Sequence, residues 1–165
     1  MRRKRSSEHA TSRGPRPARR IHDEAGAKLP EIARCPDCGA SYREGRWTGK
    51  AAPAGAYEHR CPACERIASD YPAGLLHVEG GFARLHRDDL VQLLRHVEER
   101  ERADHPLKRI MAVTDDASGF TVTTTDAKLV QTFGRALKKA YAGSLELPPT
   151  TSDKENLVRV RWTRD

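Results

Sequence analysis

The stretches CPDCGA, starting at Cys35, and CPACER, starting at Cys61, constrain this chain more than anything else in it. Residues 39 to 60 lie between the two Cys-Pro-x-Cys pairs, and the pairs account for all four cysteines. A Cys-x-x-Cys turn presents two thiolates from one tight loop, and two such turns close the tetrahedral shell that zinc prefers. Gly39, directly after the first pair, removes a side chain where the backbone must curl toward the sulfurs. One structural Zn2+ held by Cys35, Cys38, Cys61 and Cys64 is therefore expected. With all four positions filled by cysteine, no place remains for water or substrate, which argues against a catalytic metal. Apparent binding free energies of about 10 to 16 kcal/mol in small zinc modules are what a ribbon of ~35 residues needs in place of a core.

Two other uses of paired thiols stay open at this level. A redox or iron-bearing pair is one, and free thiols are the other. A redox pair is expected at the start of a helix that follows a strand, where the helix terminus lowers a thiol pKa. Neither pair opens a clear long amphipathic helix. A reducing cytosol disfavours disulfides and favours metal binding by such a pattern.

That compartment is the expected one. The apolar runs are too short to span a membrane, and the charged N-terminus is not followed by the apolar stretch of a signal peptide. A soluble cytoplasmic protein is expected, with no membrane partner. Net charge is +7, and it is unevenly placed. Residues 1–30 hold nine Lys/Arg against three Asp/Glu, a net +6, whereas residues 31–165 hold 21 against 20, a net +1. A polyanion is therefore attracted mainly by the N-terminal segment and by local patches.

That segment has almost no large apolar side chain, so it cannot offset an ordering cost of roughly 1 to 2 kcal/mol per residue. A disordered basic tail is expected over 1–30, with Arg2, Arg3, Lys4, Arg5, Arg13, Arg16, Arg19 and Arg20 available to neutralise phosphates; a merely solubilising leader is the alternative. Residues 31–81 are assigned to the zinc ribbon and a connecting strand. Within them SYREGRWTG and AYEHRC read as short strands, giving two hairpin arms with a knuckle at each cysteine pair. The strand in YPAGLLHVEGGF follows.

Residues 82–165 are assigned to an amphipathic helix and a small β-β-α-β-β domain. Leu90, Leu93, Leu94 and Val97 recur at helical spacing, with Asp88 near the start and His105-Pro106 as the stop. The EERERAD turns beyond Val97 carry charge on every face and are expected to extend into solvent. Two strand-like runs follow, joined by a turn at Asp115 to Gly119. Asp126 caps a second helix, whose stripe of Leu129, Val130, Phe133, Ala136, Leu137, Ala140 and Tyr141 ends at Gly143. SLEL and NLVRVRW supply two more strands, the last alternating Val158, Val160 and Trp162 with Arg159 and Arg161. The fold class is α+β.

No nucleophile elbow, phosphate-binding glycine loop or paired-carboxylate site is found, and no enzymatic activity or small-molecule substrate is expected. The seven histidines are scattered; His59, beside the second cysteine pair, either bonds a sulfur or is an ordinary strand histidine. Lys128, Arg135, Lys138 and Lys139 lie off the apolar stripe of the second helix. Together with Arg159 and Arg161 they either form a phosphate-facing surface or are an ordinary soluble exterior. Trp47 or Tyr42 could stack on an unpaired base. Phe120, Phe133 and Trp162 read as core.

Over residues 28–164, CPDCGASYREGRW, CPACERIASDYPAG, the HRDDLVQLL helix, ERADHPLKRIM, TVTTTDAKLV and ALKKAYAG resemble a group of small bacterial zinc-ribbon proteins known from a low-oxygen-activated gene cluster. More distantly, paired Cys-x-x-Cys knuckles followed by a helix and an α/β unit are similar to the N-terminal part of the archaeal and eukaryotic export adaptors of the large ribosomal subunit. From those adaptors only Cys35, Cys38, Cys61 and Cys64 transfer residue by residue. The resemblance implies a non-enzymatic RNA-binding protein, with a ribosomal subunit or other structured RNA as partner and a link to low oxygen or other stress. A protein-interaction adaptor is the competing expectation. A DNA-binding role is a further alternative, because a basic arm does not distinguish DNA from RNA.

Overall fold

A computed structural model describes residues 32–148 and 157–165. The basic tail expected over 1–30, with all its arginines and Lys4, lies outside the described residues, as does most of the PPTTSDKE connection. Among the described residues the chain is mixed α+β, with four helices and two sheets.

The small sheet carries the first cysteine pair. Its strands are β1 (Ile32–Arg34), β2 (Ser41–Arg43), β3 (Arg46–Thr48) and β4 (Tyr57–Glu58), in the order β3-β2-β1-β4. β2 pairs antiparallel with both β1 and β3. Glu44 and Gly45 join β2 to β3, both with positive φ, the geometry that lets a two-residue hairpin follow the strand twist. β4 returns parallel to β1, which places Cys61 beside the first knuckle.

The second knuckle does not form a hairpin. Cys61 is the N-cap of a short helix, α1 (Pro62–Ala68), with its Sγ accepting from the Cys64 amide at 3.5 Å. Pro62 explains the helical turn: its fixed φ and missing N–H suit the first helical position.

The larger sheet contains β5 (Gly74–Glu79), β6 (Ile110–Asp115), β7 (Gly119–Thr124), β8 (Ser144–Glu146) and β9 (Val158–Thr163), in the order β6-β7-β5-β9-β8. Only β5 and β9 run parallel. β5 is thus the central strand of this sheet. This strand, grouped by sequence with the ribbon segment as a connecting strand, pairs with β7 and β9 over all six of its residues. The β-β-α-β-β unit is accordingly one strand short of the sheet that forms.

Burial alternates along the central strands, with Leu76, Val78, Phe120, Val122, Val160 and Trp162 on the covered face. Three helices supply the rest of that core. They are α2 (Gly81–Leu85) through Ala83, α3 (Arg87–Asp104) through Leu90, Leu94 and Val97, and α4 (Ala127–Tyr141) through Leu129, Val130, Phe133 and Leu137. Asp126 caps α4 as expected, accepting from the amides of Lys128 and Leu129, each at 2.9 Å. Gly134 on α4 faces the sheet so closely that a Cβ would stand 2.7 Å from Leu145 and 2.9 Å from Val160. The helix therefore packs tightly on β8 and β9. Trp162 is fully buried, and its Nε1 donates to the Ala142 carbonyl at 2.8 Å, so its one polar atom is satisfied.

The charged end of α3 is mostly exposed, as expected, but two of its carboxylates turn inward. The Glu98 carboxylate accepts from the Ile110 amide at 2.8 Å, and Glu101 pairs with Lys108. Both contacts hold the loop that leads into β6. The apparent all-round charge hid two inward carboxylates, because the helix runs past the edge of the apolar core and meets backbone and a lysine there.

Candidate metal centre

Cys35 directly follows β1, and the chain folds back at once: the Gly39 amide donates to the Cys35 carbonyl at 2.9 Å, and the Cys35 amide donates to the Ala40 carbonyl at 2.8 Å. Gly39 adopts φ +75°, a conformation that strains any residue with a Cβ. Cys61 and Cys64 come from the start of α1. The Cys61 amide donates to Cys35 Sγ at 3.3 Å, so the second knuckle supports a sulfur of the first.

The four sulfurs lie within 4.8 Å of one another. Cys38 Sγ and Cys61 Sγ are 3.7 Å apart. A tetrahedron built on Zn–S bonds of ~2.3 Å has edges of about 3.8 Å. Four soft donors at that spacing fit a single Zn2+, and Cys35, Cys38, Cys61 and Cys64 could hold one metal ion together. Cys35, Cys61 and Cys64 are buried, whereas Cys38 is exposed.

The sulfurs differ in their electrostatics. Burial pushes the Cys38 thiol up, but bonds from the Ala40 backbone and Cys35, together with the positive charge of Arg109, bring it down to about 7. Burial pushes Cys61 up strongly, and the neighbouring charges of Cys38 and Cys35 add to the effect. Cys64 is also raised by burial, against the opposing bond from Arg109.

Arg109 was not singled out in the sequence, and it is the residue that joins this centre to the larger sheet. It precedes β6 directly, is 9% exposed, and points its guanidinium at the second pair. Nη1 donates to Cys64 Sγ at 3.4 Å, Nη2 to Cys61 Sγ at 3.5 Å, and Nε to the Pro106 carbonyl at 3.1 Å. Burial alone would favour the neutral form, but the bond to Cys64 and the charge of Cys38 outweigh it and hold Arg109 as a cation. Leu107, two residues earlier, packs against the cluster of Cys35, Ala40, Cys61, Ala63 and Cys64, with Trp47 on the same cluster. No local signal marks Arg109: it is one of 30 Lys/Arg, and its role depends on contacts 45 and 48 residues away.

Between the first knuckle and the end of α3 lies a cleft of about 540 Å³, lined by Cys38, Gly39, Glu98, Arg102 and Arg109 among others. The exposed Cys38 borders this opening.

His59 stacks on Trp47 with ring centroids 6.3 Å apart, and Trp47 meets Tyr42 edge-on at 5.6 Å. These aromatics pack within the ribbon. Lys128, Arg135, Lys138 and Lys139 are all exposed on α4, away from its buried stripe. The structure does not unite them with Arg159 and Arg161. Since Val160 and Trp162 face the helices, the alternation of β9 sends Arg159 and Arg161 to the opposite side of the sheet. There Arg161 lies 3.5 Å from a Glu79 carboxylate oxygen and 4.0 Å from one of Glu146.

Among the described residues, no helix is long and apolar enough to cross a membrane. Compared with family models and with curated proteins, the chain matches none.

Proposed function

We propose that this chain is a non-enzymatic zinc-ribbon protein that binds structured RNA, with a ribosomal subunit as its partner. The observation that carries the reading is the solvent face of α4. Lys128, Arg135, Lys138 and Lys139 are exposed there, and the helix contains no Asp or Glu. Four cations on a rigid helix, with no carboxylate among them, form a surface suited to a phosphate backbone. The basic segment 1–30 adds charge of the same sign. Arg161 contributes less in this reading, because Glu79 and Glu146 already compensate it.

The ribbon's role is structural. Its four cysteines leave no open coordination position once a tetrahedral metal is bound, so the metal shapes the surface and takes no part in chemistry.

The test is sedimentation of the tagged full chain on sucrose gradients, in lysate from cells grown at low oxygen, with and without ribonuclease and at two salt concentrations. Co-migration with a ribosomal subunit, lost at high salt or after ribonuclease, supports the reading. Binding to purified RNA is expected to weaken with salt at a log-log slope of about −0.7 to −0.9 per phosphate neutralised. Replacing Lys128, Arg135 and Lys139 together by Gln should flatten that slope. A protein that stays at the top of the gradient under every condition has no ribosomal partner, and a contact that survives ribonuclease and salt is one with protein.

A further inference from the structure

We propose that Arg109 couples metal loading in the ribbon to the order of the larger sheet, so that the two halves respond to the metal as one unit. The inference rests on the zinc reading above and adds a residue and a consequence to it.

Arg109 is tied to the sheet by its backbone and to the ribbon by its side chain. Its amide donates to Thr125 Oγ1 at 2.9 Å, and its carbonyl accepts from the Thr125 amide at 3.0 Å. Thr125 Oγ1 in turn donates to the Leu107 carbonyl at 2.6 Å. Thr125 is buried and directly precedes Asp126, the cap of α4. One short chain of bonds therefore runs from the sulfurs through Arg109 and Thr125 to the first turn of the helix that covers the sheet.

The guanidinium fits this place because it is planar and forked. Two N–H groups reach two sulfurs of the same knuckle while Nε holds the loop carbonyl of Pro106. A buried cation is costly unless an anion faces it. Four thiolates around a divalent ion carry a net charge of −2, and the guanidinium cancels half of it. The metal keeps the cysteines as thiolates, which gives Arg109 its counter-charge. Arg109 in turn steadies the sulfurs, as groups surrounding a metal's ligands commonly do. Loss of the metal frees the sulfurs from one fixed tetrahedron, so the two acceptors that the guanidinium fork spans no longer stay in register, and the loop of Pro106 to Arg109 loses its hold on the ribbon.

The experiment compares the full-length wild type with Arg109→Met and Arg109→Lys. Zinc content and affinity are measured by competition with a chromogenic chelator, and amide hydrogen exchange is followed with zinc bound and after chelation. In the wild type, chelation should speed exchange at Arg109, Thr125 and the first turn of α4, far from any ligand in sequence. Arg109→Met should still bind one zinc, roughly 10- to 100-fold more weakly. Its Thr125 and α4 amides should exchange at nearly the same rate with and without metal. Arg109→Lys keeps the charge without the fork and should fall between the two; it serves as the informative variant if the methionine protein does not fold. A wild type that holds one zinc, yet shows no change at these amides on chelation, overturns the coupling alone. A wild type that binds no metal overturns the zinc reading and the coupling with it. Wild-type affinity and wild-type exchange in Arg109→Met also overturn the coupling.

Discussion

The Glu98 carboxylate, in the fourth turn of α3, accepts the backbone N–H of Ile110, the first residue of β6. This bond joins a helix of the covered face to the edge strand of the sheet. Its acceptor is charged and half-buried, and it satisfies an amide that edge pairing alone leaves without a partner.

Glu98→Ala is expected to destabilise the fold by about 1 to 3 kcal/mol, the range for losing a charged acceptor and stranding a donor. Glu98→Gln keeps a carbonyl oxygen at the same place and should cost less. Urea denaturation of the metal-bound protein, comparing midpoints at constant slope, checks both values.

Gly39→Ala should weaken the first knuckle through its backbone alone. Nothing lies within 4 Å of the added Cβ, so there is no clash, but φ +75° disfavours any L-residue by roughly 1 to 2 kcal/mol. The expected result is a lower zinc affinity with unchanged stoichiometry. A clash-driven loss of folding would contradict it.

Alkylation should begin at Cys38. It is the exposed member of the four cysteines and borders the cleft beside α3, whereas Cys35, Cys61 and Cys64 are buried. Substoichiometric iodoacetamide, followed by peptide mass mapping, should label Cys38 first, and metal release should follow that modification in time. Equal labelling of all four cysteines would show that the buried three are reached together by opening of the whole ribbon.

Asp116 should make the β6–β7 turn sensitive to acid. Its side chain accepts from the Ser118 hydroxyl and from the amides of Ser118 and Gly119, which lowers its pKa below the usual aspartate value. A depressed carboxylate pKa means that the native state favours the ionised form. The stabilisation is therefore complete above the ordinary carboxylate range and disappears as pH falls through the lowered value. Asp116→Ala should reduce the loss of stability on acidification, as read from thermal midpoints across the acid range. The carboxyl titration of Asp116, followed by NMR, should lie below that of an unstructured aspartate.

What the sequence makes legible here is local. The cysteine cluster could be read because a knuckle places its sulfurs within four residues, and α4 because Leu129, Val130, Phe133 and Leu137 form a continuous apolar stripe that the core covers. β5 could not be placed, since its pairing with β7 and β9 depends on residues 40 or more positions away. The short helix after Cys61 is seven residues long, too short to show a period. Arg109 and Glu98 are charged residues in charged surroundings, and only tertiary contacts separate them from the solvent-exposed majority. The separation of Arg159 and Arg161 from the α4 cations follows from strand alternation and could be deduced once the covered face of β9 is assigned to Val160 and Trp162.

The two tryptophans stand in different halves of the molecule: Trp162 sits at the centre of the larger core, and Trp47 lies against the cysteine cluster, half-buried and stacked on His59. The chain thus carries its own pair of optical probes. The indole of Trp162 is sealed from water and should emit at shorter wavelength, while that of Trp47 should change with the state of the ribbon. A Trp47→Phe variant leaves a reporter of the sheet alone. A difference between its melting curve and that of the unmodified protein would measure how far the two halves come apart separately.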